Sequence, residues 1–256
     1  MSGLNLRHWP GIEDRPALAL HCMMGNASYW GSIAKQLADL VQVTAPDLPG
    51  HGQSPAWDGG PPDYHTHVTR SVAPLITRPL DLIGHSLGAT VALRIAVAAP
   101  DAVRSLTLIE PVLFAAVPET PGFAQMEALR AQVESGARAQ AVQDFLSVWG
   151  GLDWAHQTTA GKARLLAQID LVVAGNEALL HDSGKILRPG GLEAIDAPVL
   201  LIMGEDSPEV IPDIAEALAA RLPDVGRATL PGAAHMLPIT HPRQTADLIR
   251  LNLERA

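Results

Sequence analysis

The 256-residue sequence predicts an α/β fold: a mostly parallel central sheet with helices on both faces and one helical insertion. Three observations carry this expectation. Short apolar runs bounded by turn residues alternate with longer runs of helical period. The short runs are continuously apolar, as strands covered on both faces require. One long stretch, residues 114–191, has helical patterning and no convincing strand.

Taken in order, the runs at 4–9, 17–22, 41–45, 80–83, 106–109, 199–203 and 227–230 are the expected strands. Helices are expected at 32–40, 65–75, 87–99, 212–221 and 243–254. Within the insertion, Phe123-Met126-Leu129-Val133, Ala141-Phe145-Leu146-Trp149 and Leu165-Ile169-Val172-Val173 fall at helical spacing. Breakers flank it: Pro111, Pro118 and Pro121 before, Pro189-Gly190-Gly191 after. The chain therefore divides into a core of residues 1–113 and 192–256 and a helical segment of 114–191. No internal repeat or low-complexity tract interrupts this pattern.

Composition excludes several classes. With 47% hydrophobic and 18% charged residues, the chain is not disordered. A net charge of −9, with 18 scattered Lys and Arg residues, argues against nucleic-acid binding. Cys22 is the single cysteine, so neither a disulfide framework nor a cysteine-based metal site is expected. No apolar run reaches the roughly 18 residues of a membrane span. Residues 1–15 lack the basic and apolar regions of a signal peptide, so a cytoplasmic protein is expected. Nothing in the sequence fixes an oligomeric state.

The chemistry-bearing motif is Gly84-His85-Ser86-Leu87-Gly88, between an apolar strand-like run and an uninterrupted helical pattern. In that context G-x-S-x-G is a nucleophile elbow, whose tight turn lifts the serine hydroxyl above the sheet edge. The helix beginning there favours negative charge at its N-terminus. A serine needs a base, and His235 follows the last strand in the small-residue loop Leu230-Pro231-Gly232-Ala233-Ala234. Two oxyanion donors are expected. They are the N–H of Leu87 and that of Met23, in His21-Cys22-Met23-Met24-Gly25 after the strand at 17–22. Met24, with Trp149 and Trp154 of the insertion, are the candidate substrate-lining residues. His65 and His67 form an H-x-H pair without a third ligand and are read as a solvated helix start. Gly25, Gly50 and Gly52 lack phosphate-loop and dinucleotide spacing, so no cofactor or metal is expected.

Together these parts resemble the α/β-hydrolase family over essentially the whole chain. Asp47-Leu48-Pro49-Gly50-His51-Gly52-Gln53-Ser54 matches its D-x-x-G-x-G-x-S loop. Gly84 to Gly88 matches its elbow, Gly232-Ala233-Ala234-His235 its G-x-x-H ending, and the insertion occupies the place of its helical cap. The resemblance implies an α/β-hydrolase fold and a cofactor-independent serine hydrolase, esterase-like, acting on a small or medium carboxylic ester. Lactone hydrolysis, carbon–carbon bond hydrolysis and perhydrolysis use a similar constellation, and a non-turnover small-molecule receptor is the alternative of another class.

Two departures stand out. Cys22 occupies a position where the family usually has glycine, and a packing role is expected for it. After the strand at 199–203 the family usually has Gly-x-x-Asp, whereas here Gly204-Glu205-Asp206-Ser207-Pro208 puts Ser207 in the aspartate slot. Asp206 stands one residue early. Glu110, directly after the strand at 106–109, is the other candidate acid, because some family members place it there. Both remain open, ahead of Glu205 and Glu209.

Overall fold

The computed structural model describes residues 3–150 and 153–256; Met1, Ser2, Gly151 and Leu152, which fall inside the sequence assignments above, lie outside them. The chain begins with β1 (Leu6–Trp9) and β2 (Pro16–Leu20), then α1 (Gly31–Gln36), β3 (Gln42–Pro46), α2 (Tyr64–Val72), β4 (Leu80–His85), α3 (Leu87–Ala98) and β5 (Val103–Ile109). Three helices follow, with no strand between them among the described residues: α4 (Pro121–Glu134), α5 (Arg138–Trp149) and α6 (Thr159–His181). The chain then returns through β6 (Val199–Gly204), α7 (Val210–Ala219), β7 (Val225–Leu230), the short α8 (Leu237–Thr240) and α9 (Pro242–Leu253).

The seven strands form one sheet in the order β1-β3-β2-β4-β5-β6-β7. Only the pairing of β1 with β3 is antiparallel. Residues alternate between two apolar layers, as the two-residue period of a strand dictates. Leu18, Leu20, Leu82, Leu106, Leu108, Val199 and Leu201 face a layer built with α2 to α7. Ala17, Ala19, Ile83, Ile109, Leu200 and Ile202 face the layer of α1 and α9. Each fully buried leucine or isoleucine contributes roughly 1.5–3 kcal/mol. Helix α3 is buried nearly all round, from Leu87 to Val97, because it lies between the sheet and α2.

The helices between β5 and β6 start and stop on local chemistry. Thr120 Oγ1 accepts the Phe123 N–H ahead of Pro121, and Thr158 Oγ1 accepts the Gly161 N–H to start α6. The apolar positions noted in the sequence turn inward: Met126 and Leu129 on α4, Ala141, Leu146 and Trp149 on α5, Leu165, Ile169 and Val172 on α6. No described helix is long and apolar enough to cross a membrane.

The strand order reverses at β2 and β4, and ligands in such sheets sit outside the carboxyl ends of strands near this switch. Loops after β2, β4, β5, β6 and β7, neighbours in the sheet, therefore converge on one edge.

Candidate active site

Ser86 lies at the turn from β4 into α3 with φ 56° and ψ −117°, in the sparsely allowed left-handed region. The turn closes because its flanking residues have no side chains. A Cβ on Gly84 would lie 2.3 Å from the carbonyl oxygen of Gly88, and one on Gly88 would lie 2.3 Å from that of Leu20. The Ser86 N–H donates to the Ile109 carbonyl at 2.9 Å, so the elbow is tied to β5. Met24 (φ 61°) and Glu110 (φ 51°) also have a positive φ; such backbone strain costs about 1–3 kcal/mol per residue and gathers at functional sites.

The fully buried Glu110 ends β5 and meets His235 from the loop after β7: Glu110 Oε2 accepts from His235 Nδ1 at 3.0 Å. A carboxylate only accepts, so Nδ1 carries the ring proton and Nε2 is left as the basic nitrogen. The other oxygen of Glu110 accepts the Gly204 N–H at 2.7 Å and the Ser207 hydroxyl at 2.8 Å. Ser207, in the slot where an aspartate was expected, is thus a donor to the acid on the adjacent strand. The edge of Trp149 packs against the His235 ring at a 4.7 Å centroid distance.

Asp206, the competing acid, is not brought to the histidine. Its carboxylate is exposed, and its backbone N–H is fixed to the Ala233 carbonyl at 2.9 Å, so the loop holds the side chain outside the site. Glu205 and Glu209 are also exposed, and Glu205 accepts the Gly232 N–H at 3.1 Å.

The loop after β2 is held by groups that the sequence reading passed over. Cys22 donates its N–H to Tyr29 Oη at 2.9 Å, and its carbonyl accepts from His21 Nδ1 at 2.7 Å and from the Gly25 N–H at 3.2 Å. His51 Nε2 accepts the Met24 N–H at 3.0 Å, and His21 Nε2 accepts the Leu48 N–H at 2.8 Å. In a trans peptide the C=O and N–H point oppositely, so pinning the Cys22 carbonyl turns the Met23 N–H the other way. Among the described residues neither the Met23 N–H nor the Leu87 N–H, the first of α3, has a hydrogen-bond partner.

Burial pushes His21 down to about 3 and His51 to about 4, so both are neutral and can accept. Asp47 anchors the matching loop: its carboxylate accepts from Ala27, Gln53 and Asn5 at 2.8–2.9 Å. A Cβ on Gly52 would fall 2.1 Å from Asp47 Oδ2. Only the repeated glycines of the D-x-x-G-x-G-x-S pattern hinted at this scaffold.

Cys22 itself is buried, and burial pushes its thiol up to about 12, which suits packing and not nucleophilic attack. His65 is fully buried, 3.1 Å from both Thr90 Oγ1 and Arg94 Nη1, which corrects the expected solvated helix start. The α2 face that packs on α3 and α6 takes it inside; His67 stays half-buried.

Ser86 and His235 line a cavity of about 180 Å³ with Met23, Met24, Trp149 and Arg164. A smaller pocket of about 30 Å³, also bordered by Ser86, is walled by Leu87, Val112, Phe114, Met126 and Val172, and Met23 and Trp149 border both. Trp154, expected at the substrate, lines neither. It is half-buried, with Lys162 Nζ 5.2 Å from its ring centre. Of the candidate residues the fold brings Ser86, His235, Glu110, Met23, Leu87, Met24 and Trp149 together, and leaves out Asp206 and Trp154.

Known proteins share this framework. The chain is 31% identical over 229 residues to the pimeloyl-(acyl-carrier protein) methyl ester esterase of Methylococcus capsulatus, covering 86% of this chain and 87% of that one. It is 30% identical over 240 residues to the enzyme of the same name from Cronobacter sakazakii, covering 90% and 89%. Among solved structures, a hydrolase from Pseudomonas aeruginosa superposes with TM-score 0.74 at 23% identity over 99% of this chain and 94% of that one, which speaks for the fold alone. The sequence model described as the alpha/beta hydrolase family matches residues 17–248. With that match over most of its length, and a mostly parallel seven-stranded sheet beneath it, the chain belongs to the α/β-hydrolase family.

Proposed function

We propose that this protein is a cofactor-independent serine hydrolase that cleaves a small or medium carboxylic ester. The observation that carries the reading is that a strained serine after β4 and a buried histidine after β7 line one cavity, with the histidine held by a buried glutamate after β5. His235 Nε2 takes the proton of Ser86 Oγ as that oxygen attacks the ester carbonyl. Glu110 holds the ring in the required tautomer and stabilises the imidazolium. The N–H groups of Met23 and Leu87 receive the developing oxyanion. His235 then returns the proton to the leaving alcohol, and a water activated in the same way releases the acid from the acyl-enzyme.

Residues 114–191, with α4 to α6, act as the cap that shapes the pocket. The two spaces beside Ser86 assign the substrate's halves by size. The small, mostly apolar pocket takes a small apolar substituent, and the larger cavity, with Asn26 and Arg164 at its walls, takes the larger, more polar one. The relatives named for methyl esters favour the same division, with the methyl group as the small part. Ser86→Ala tests the assignment. It is expected to keep the fold and lower kcat on a short-chain nitrophenyl ester by about 10⁴-fold or more. Labelling by a fluorophosphonate is expected to vanish with it. Retained turnover in Ser86→Ala overturns the mechanism.

A further inference from the structure

Beside the reacting groups runs a chain of hydrogen bonds that the proposed chemistry does not use. The Cys22 N–H lies 2.9 Å from Tyr29 Oη, Tyr29 Oη 3.0 Å from His85 Nδ1, and His85 Nε2 2.9 Å from the His235 carbonyl oxygen. Its direction is fixed by chemistry. The carbonyl only accepts, so His85 Nε2 carries the proton and the neutral ring accepts at Nδ1. The Tyr29 hydroxyl must then donate to Nδ1, which leaves its lone pair for the Cys22 N–H. Every donor in the chain finds an acceptor.

We infer that Tyr29 and His85 are positioning residues that hold the Met23 oxyanion loop and the His235 loop at a fixed separation across the elbow. His85 lies inside the elbow, between Gly84 and Ser86, so the chain ties together the three loops whose relative placement sets the reaction geometry. The inference rests on the esterase reading and adds two residues to it. His85 is fully buried, its ring 5.1 Å from that of His235. Burial, followed by the neighbouring His235, keeps His85 well below the ordinary histidine range, so it stays a neutral link while His235 gains a proton. A misplacement of about 1 Å between oxyanion donor and base costs on the order of 100-fold in rate.

Tyr29→Phe removes the hydroxyl and keeps the ring that packs on Trp30 at 5.0 Å. It is expected to lower kcat on a short-chain nitrophenyl ester by about 10–100-fold with KM within about threefold, because the geometry lost is that of the transition state. Affinity for an alkylboronic acid, a tetrahedral mimic, should fall by the same factor as kcat/KM, a readout that general loosening does not follow. His85→Leu should match Tyr29→Phe, and the double variant should be no slower than His85→Leu alone, since both break one chain. His85→Gln keeps a donor and an acceptor and should hold kcat within about fivefold of wild type.

Wild-type kcat in Tyr29→Phe overturns the inference, as do multiplying losses in the double variant or a kcat loss without the matching loss of boronate affinity. Should the leucine variant fail to fold, a folded His85→Gln slower than about tenfold overturns it as well. These outcomes, in a wild type that turns over and is labelled at Ser86, spare the esterase reading. A wild type that does neither overturns both.

Discussion

Glu110→Gln changes one atom of the acid, and the surroundings of Glu110 dictate how the new amide must sit. The oxygen facing Gly204 accepts a backbone N–H at 2.7 Å, and that donor cannot be turned round. The amide oxygen therefore stays on Gly204 and Ser207, and the NH₂ group is left against His235 Nδ1, 3.0 Å from the old carboxylate oxygen. Nδ1 must now accept, which places the ring proton on Nε2, the nitrogen meant to receive the proton of Ser86. In Ser-His-Asp enzymes such a tautomer inversion lowers kcat by about 10⁴-fold. At about 1.4 kcal/mol per factor of ten this is about 5.5 kcal/mol of transition-state stabilisation. Glutamine is preferable to alanine, which would strand the buried Gly204 N–H and Ser207 hydroxyl at about 1–3 kcal/mol each. Steady-state kinetics on a short-chain nitrophenyl ester, beside a thermal melt and Asp206→Asn, make the assay. A Glu110→Gln enzyme within about tenfold of wild type, paired with a collapse in Asp206→Asn, refutes the reasoning. If neither variant falls, the arrangement of the three groups is wrong.

Two further outcomes follow from burial. Cys22 should resist a disulfide reagent such as dithionitrobenzoate in the native protein and react once unfolded, and Cys22→Ala should keep kcat within about threefold because only a backbone N–H is needed there; rapid native labelling, or a kcat loss of orders of magnitude, contradicts the packing role. His21, His51 and His65 are held at about 3, 4 and 3 by burial, against 6.5 unfolded. The unfolded chain therefore takes up protons first as pH falls, so their stabilisation is present above 6.5 and is lost between 6.5 and about 4 for His51 and about 3 for His21 and His65. Each contributes on the order of 2 kcal/mol of this loss by pH 5. Tm should drop by at least about 5 °C from pH 7.5 to 5, and a flat or rising Tm argues against these neutral seats.

The strands and the elbow were legible because their signals are local. Continuous apolar runs give strands, and two glycines around a serine give a turn that no other residue type closes. The three helices between β5 and β6 were equally plain in the spacing of Met126, Leu146 and Ile169. The acid was not legible, because choosing between Glu110 and Asp206 depends on which loop reaches a histidine 125 positions away from the first of them. Ser207 looked like a loss only because its partner is on another strand. The roles of His21, His51, Tyr29 and His85 left no mark, since a side chain that bonds the backbone of a distant loop resembles any other in sequence. That Trp154 lines neither pocket was illegible for a related reason: helical patterning says that a segment is amphipathic, not which of its aromatics faces the serine.

The contact between Glu110 and Ser207 joins the ends of β5 and β6 around one imidazole. One oxygen of Glu110 takes the Ser207 hydroxyl while the other takes the imidazole, so Ser207 supports the carboxylate in place of supplying one. Exchange of the acid between the two loops, with the serine and histidine left in place, is then a testable property of this framework. A chain carrying Glu110→Gln with Ser207→Asp would be a direct rendering of that exchange, with the histidine loop unchanged.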